Sequence, residues 1–146
     1  MAKAKEIFSE DKRTEILHAI AEAEKHTSGE IRLYVENNCK GDVLDRAAFI
    51  FKELNMHETK ERNGVLFYLA VKSQKFAILG DAGIHSKVHK DFWHDIKLAM
   101  KHHFVTGDFV TGLSEGIRMA GEALSKHFPY RDGDVNELPD EIVFGK

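Results

Sequence analysis

The sequence predicts an α/β protein, a small mixed β-sheet with helices on both faces. Three observations carry this. Glu30–Glu36 alternates apolar with polar residues, Gly64–Val71 is almost wholly apolar, and the segments around them repeat apolar residues at helical spacing. A helical segment between the first two strands implies a parallel crossover. The short polar stretch Lys72–Lys75 then implies an antiparallel hairpin.

The elements follow in chain order. Ser9 is a favoured N-cap, and Ile16, Leu17, Ile20 and Ala21 after it share one helical face. Thr27-Ser28-Gly29 stops that helix. In the strand Glu30–Glu36, Ile31, Leu33 and Val35 alternate with Glu30, Arg32, Tyr34 and Glu36, the pattern of a half-buried strand. A second helix presents Leu44, Ala47, Ala48, Phe51 and Leu54. The strand Gly64–Val71 lacks alternation, so it belongs at the centre, covered on both faces. Phe76–Leu79 returns beside it.

A third helix is expected over Lys87–Phe104, with Val88, Phe92, Ile96, Ala99 and His103 in register. The fourth is the clearest, running through Phe109, Leu113, Ile117, Ala120, Leu124 and Phe128 to Pro129, which cannot continue it. The core spans about residues 9–128, and residues 129–146 read as an acidic, irregular C-terminal tail on one domain of 146 residues.

Composition narrows the function. A net charge of -3 offers no basic surface for nucleic acid. No segment approaches the roughly 20 apolar residues of a membrane span, and the N-terminus lacks a signal-type apolar run. The single cysteine, Cys39, can form neither an internal disulfide nor a paired-cysteine metal site. These features predict a cytoplasmic protein.

The predicted topology gathers specific residues. Glu30, Asn63-Gly64 and the turn Gly80-Asp81-Ala82-Gly83 fall at one end of the sheet, beside the loop that carries His57 and Arg62. The glycines allow a tight turn and close approach, so Asp81 can offer its carboxylate to a hard cation such as Ca²⁺ or Mg²⁺, with Glu30 and Asn63 as further oxygen ligands. Spacing equally permits Asp81 to act only as a turn or helix cap. At the opposite end, Asp42 and Asp45 stand at a helix start, where capping and the helix dipole favour acids. With Glu36 they form a second candidate metal site, at the carboxyl end of the parallel strands where open α/β sheets bind ligands.

Other patterns fail on chemistry. Of the nine histidines, His85 and His89 have the i, i+4 spacing of a helix-face chelate but no completing cysteine or glutamate. Asp132, Asp134 and Asn136 imitate a calcium loop, yet Glu137 replaces its essential glycine and Val143 its final glutamate. There is no nucleophile elbow, P-loop or dinucleotide fingerprint. Gly112 and Gly116 in the last helix imply close packing against another helix or a surface where a protein partner approaches.

Thr27-Ser28-Gly29-Glu30-Ile31, Asp42 with Ala47 and Phe51, Asn63-Gly64-Val65-Leu66, Gly80 with Gly83, and Gly107-Asp108-Phe109 with Gly112 together resemble the TPM domain family over about residues 9–128. The resemblance implies a Rossmann-like αβα sandwich, divalent-cation binding and a phosphatase-like activity. Here the family's Gly-x-Gly is one residue longer, Gly80-Asp81-Ala82-Gly83, and its glycine-rich approach to the central strand is Met56-His57-Glu58-Thr59. Two functions are therefore expected. One is a cation-binding domain with Asp81 as leading ligand and His57 or His85 available for proton transfer. The other is a non-catalytic interaction module that binds a protein partner through the glycine face and the acidic tail.

Overall fold

The computed structural model describes residues 4–130 and 141–145. Its four strands, β1 (Glu30–Glu36), β2 (Gly64–Ala70), β3 (Lys75–Gly80) and β4 (Ile142–Phe144), form one sheet in the order β3-β2-β1-β4. β1 and β2 are parallel, with Glu30 opposite Gly64 and Glu36 opposite Ala70. β3 pairs antiparallel with β2, and β4 pairs parallel with β1. The mixed sheet expected from sequence is thus present, with one strand more.

Helices α1 (Ala4–Ile7), α2 (Glu10–Glu24), α3 (Val43–Glu53), α4 (Ala82–His85), α5 (His94–Phe104) and α6 (Phe109–Leu124) divide between the two faces. α2, α5 and α6 cover the face that displays Ile31, Leu33, Val35, Val65, Phe67 and Leu69. α3 and the 3₁₀ turn Met56–Glu58 cover the other, against Leu66, Tyr68 and Ala70. Every residue of β2 is buried, as its unbroken apolar run requires.

β1 is also buried apart from Tyr34, so it is not the half-exposed strand that its alternation suggests. Glu36 pairs with Arg46 of α3, Arg32 donates to the Leu54 carbonyl at its end, and β4 closes the outer edge of β1. β4 arises in the stretch read as irregular tail. Three residues are too short for a strand pattern, and pairing with Leu33–Val35 is what makes them one. The calcium-loop look-alike centred on Asp132, Asp134 and Asn136 lies outside the described residues.

Several helix details differ from expectation. α1 is a single turn, too short for periodicity to reveal. α2 begins after Ser9, although the Ser9 hydroxyl makes no capping bond. Its buried stripe is Ile16, Ala19, Ile20 and Ala23, which leaves Ala21 exposed. On α3, Ala47, Ile50 and Phe51 face inward while Leu44 and Ala48 face solvent.

The expected helix over Lys87–Phe104 is broken. α4 takes Ala82–His85, residues 86–93 run in hydrogen-bonded turns, and α5 starts at His94. The cause is Trp93, which docks on the end of β3, where a Cβ on Gly80 would lie 3.3 Å from the indole. An uninterrupted helix would carry that ring away. His85 and His89 therefore do not share a helix face, and His89 sits instead beside Asp91 at 3.5 Å.

The glycines of α6 are spacers within the chain. A Cβ on Gly112 would meet Phe104 at 2.5 Å, one on Gly116 would meet Met100 at 2.5 Å, and one on Gly121 would meet Ala23 at 2.6 Å and its backbone at 2.8 Å. α5 and α2 thus cover the glycine face, which removes it as a partner surface.

This packing predicts a graded response. Gly121→Ala forces two backbones apart and should lose about 2 kcal/mol despite its gain in helix propensity. Gly116→Ala displaces only a flexible methionine and should stay within about 1 kcal/mol of wild type. Urea denaturation midpoints of the two variants check the order, and a Gly121→Ala protein as stable as Gly116→Ala would contradict the close α2–α6 approach.

Candidate functional site

The sheet register brings the predicted residues of the first end together along the backbone. The Asn63 carbonyl accepts the Glu30 amide at 3.3 Å, and the Gly64 carbonyl accepts the Asp81 amide at 3.0 Å. Glu30, Asn63 and Asp81 are all buried.

Asp81 is the helix cap that its spacing permits. It is the N-cap of α4, accepting from the Ala82 amide at 2.7 Å. Its two oxygens also accept from Arg62 Nε at 2.7 Å and Nη2 at 2.8 Å, the bidentate geometry that suits a planar guanidinium. The Arg62 proton is held more tightly than usual because Asp81 hydrogen bonds it and lies beside it as a counter-charge.

Arg62 adopts the left-handed backbone conformation, with φ 52°, and its side chain is 49% exposed. Gly83 makes room for this loop. Its amide donates to the Arg62 carbonyl at 2.9 Å, and a Cβ there would lie 2.1 Å from the Glu61 carbonyl oxygen. The acid thus stands between glycines because it caps one segment and clamps another where only glycine lets them approach.

The Asn63 side chain takes a different direction from Asp81. Its amide donates to Ser28 Oγ at 3.4 Å, and Ser28 Oγ donates to Glu61 Oε2 at 3.2 Å. The end of the sheet is therefore rich in hard oxygen donors, including the Glu61 and Arg62 carbonyls, but Arg62 holds the Asp81 carboxylate. His57 lies in the 3₁₀ turn with a buried Nδ1 that has no hydrogen-bond partner among the described residues. His85 is exposed at the end of α4.

At the opposite end, Asp42 is the N-cap of α3, its Oδ1 accepting from the Leu44 amide at 2.8 Å and the Asp45 amide at 3.0 Å. Asp45 is exposed. Glu36 is committed elsewhere, accepting from Arg46 Nη2 and Nε, each at 2.9 Å, and from the Tyr68 hydroxyl. Among the described residues no three or more histidines, cysteines, aspartates or glutamates gather in a metal-ligating group.

Burial pushes the Glu36 carboxyl up, but the Arg46 and Tyr68 hydrogen bonds outweigh it and hold the group below the usual carboxylate value. Burial, then Glu36, pushes the Tyr68 phenol far above its usual value, so it stays protonated.

A family model for the TPM domain matches residues 1–123. The chain belongs to the TPM domain family. The NMR structure of BA42 protein from the psychrophilic bacterium Bizionia argentinensis is similar at 44% identity with a TM-score of 0.93, over 99% of this chain and 100% of that one. The N-terminal domain of cg2496 protein from Corynebacterium glutamicum shares the fold at 12% identity and a TM-score of 0.60, over 92% of this chain and 79% of that one. No curated protein matches. No helix among the described residues of this TPM domain is long and apolar enough to cross a membrane.

The sequence pattern places both ends of the TPM sheet but not the arginines that close them. Arg62 stands out only as a loop neighbour, and neither Arg46 nor Tyr68 carries a local motif. The available signal was the buried acids themselves, since a carboxylate inside a sheet demands a cation or donors.

The Glu36 cluster makes stability depend on pH. A carboxyl lowered in the folded state contributes stability above its ordinary value and loses it as pH falls through the lowered one. Glu36→Gln should cost about 2 kcal/mol at neutral pH, the scale of charge-assisted hydrogen bonds. The gap to wild type should narrow as pH drops below about 4. Urea midpoints between neutral and acidic pH test this, and a constant gap would show that Glu36 does not titrate as argued.

Proposed function

We propose that this TPM domain binds a divalent cation, Ca²⁺ or Mg²⁺, at the Asp81 end of the sheet, in exchange for the guanidinium of Arg62. The observation that supports this is a buried carboxylate whose counter-charge comes from a half-exposed side chain on a strained loop residue. Arg62 is open to solvent, so a dication can take its place without leaving the buried Asp81 carboxylate unpaired. A dication carries twice the charge at similar distance. Asp81 would be the leading ligand, with Asn63, Glu30 and the loop carbonyls as the further hard oxygens that such ions require.

Asp42 and Asp45 are the weaker alternative. Their nearest companion in the sequence argument, Glu36, already has both oxygens engaged, and the Asp42 carboxylate serves as a cap.

A phosphatase-like activity would rest on the same cation, which when bound polarises a phosphoryl oxygen. His57 or His85 would handle the proton, and no nucleophilic side chain is assigned. The interaction-module reading loses its glycine face to α2 and α5, so the cation reading takes precedence.

Amide NMR titration of the metal-stripped protein with Ca²⁺ and Mg²⁺ tests the exchange. Shifts should focus on Asn63, Gly80, Asp81 and Gly83. Asp81→Asn should abolish them, and Arg62→Ala should tighten binding about tenfold, equivalent to about 1.4 kcal/mol of removed competition. Shifts centred on Asp42 and Asp45 would move the site to the other end. Unaltered affinity in Arg62→Ala would show that Arg62 and the cation do not compete.

A further inference from the structure

The carboxyl end of β2 holds a second feature, on the sheet face opposite α3. The described residues there leave an open cavity of about 580 Å³. Leu69 and Val71 form its floor, and Ile7, Phe76, Phe104 and Phe109 stand around it. The floor is buried, but these four walls are only half-buried. Phe104 meets Phe76 edge-to-face at 5.0 Å and Phe109 in a tilted pair at 5.6 Å, so the aromatic walls are mutually braced. Gly112 secures that arrangement, because a Cβ there would strike the Phe104 ring at 2.5 Å.

The polar groups are few and of one sign. Among the described residues that line the cavity Lys101 is the only charged one, and Gln74, at the hairpin tip with φ 55°, adds an amide. No carboxylate among the described residues lines it. Asp108, between Gly107 and Phe109, is turned to the Thr111 amide as the cap of α6. Among the lining residues Val105 is 73% exposed. Binding sites for small molecules are concavities of this size, apolar with a few placed polar groups, and open α/β sheets place them at the carboxyl ends of parallel strands.

We propose that this cavity binds a small single-chain amphiphile with one anionic head, such as a medium-chain carboxylate. The chain would lie on Leu69 and Val71 between the phenylalanines, completing the burial of half-exposed rings. The head would pair with Lys101 and accept from the Gln74 amide. This site is separate from the Asp81 end and does not depend on the cation reading, since the two lie at opposite ends of β2.

The test is an amide NMR titration of the full chain with sodium decanoate, kept below micelle formation. Decyltrimethylammonium serves as a control with the same chain and the opposite charge. Decanoate should give saturable shifts confined to Val71, Gln74, Phe76, Lys101, Phe104 and Gly107, and the cationic control should bind about tenfold more weakly. Lys101→Glu and Val105→Glu change exposed side chains, so both should keep a folded spectrum while weakening decanoate about tenfold. Equal binding of the two amphiphiles, scattered or unsaturable shifts, or undiminished binding in Lys101→Glu would overturn the proposal. Binding to anionic vesicles without localised shifts from free decanoate would assign the surface to membranes instead and equally overturn it.

Discussion

Strand β1 carries charge into the interior, and much of the structure exists to satisfy it. Glu30, Arg32 and Glu36 are all buried, on a strand flanked by β2 and β4. An unpaired buried charge costs several kcal/mol, so each needs partners in place before the sheet can close. Those partners come from different elements. Glu36 draws on Arg46 of α3 and Tyr68 of β2, while Arg32 reaches the Leu54 carbonyl and Glu141 at the entrance to β4. Charge neutralisation thus fastens the crossover helix, the central strand and the C-terminal segment to one strand.

The two ends of the sheet repeat one device with different tightness. Each places a bidentate arginine on a buried acid, Arg46 on Glu36 and Arg62 on Asp81. Glu36 has a third donor in Tyr68, and Arg46 leans over the Phe49 ring at 5.5 Å. Arg62 has greater exposure and a left-handed backbone. One clamp is built to stay closed, and the other is cheaper to open. That asymmetry, rather than the number of acids, is why we propose the Asp81 end for an exchangeable cation.

The apolar face answers to a separate constraint. α2 and α5 both lie against α6, and they reach it because Gly112, Gly116 and Gly121 leave no side chain in the way. Close approach at Gly112 seats Phe104 over the helix and turns its ring toward Phe76 and Phe109. Gly112, which weakens α6 as an isolated helix, therefore shapes the cavity at its edge.

Periodicity alone determined the layered α/β architecture, the central position of β2, the hairpin and the long last helix, because each rests on a repeat longer than its own ambiguity. It also determined that Glu30, Asn63 and Asp81 share one end, which follows from strand direction. Only the tertiary structure decided what those acids face. Arg62 meets Asp81 across 19 residues of chain and Arg46 meets Glu36 across 10, contacts that no local pattern encodes. The break before α5 and the strand β4 are likewise tertiary. Trp93 interrupts a helical pattern to dock on β3, and Ile142–Phe144 becomes a strand because β1 offers an edge. Local sequence sets where apolar groups recur, whereas the partner of a buried charge is fixed by which elements the fold brings within reach.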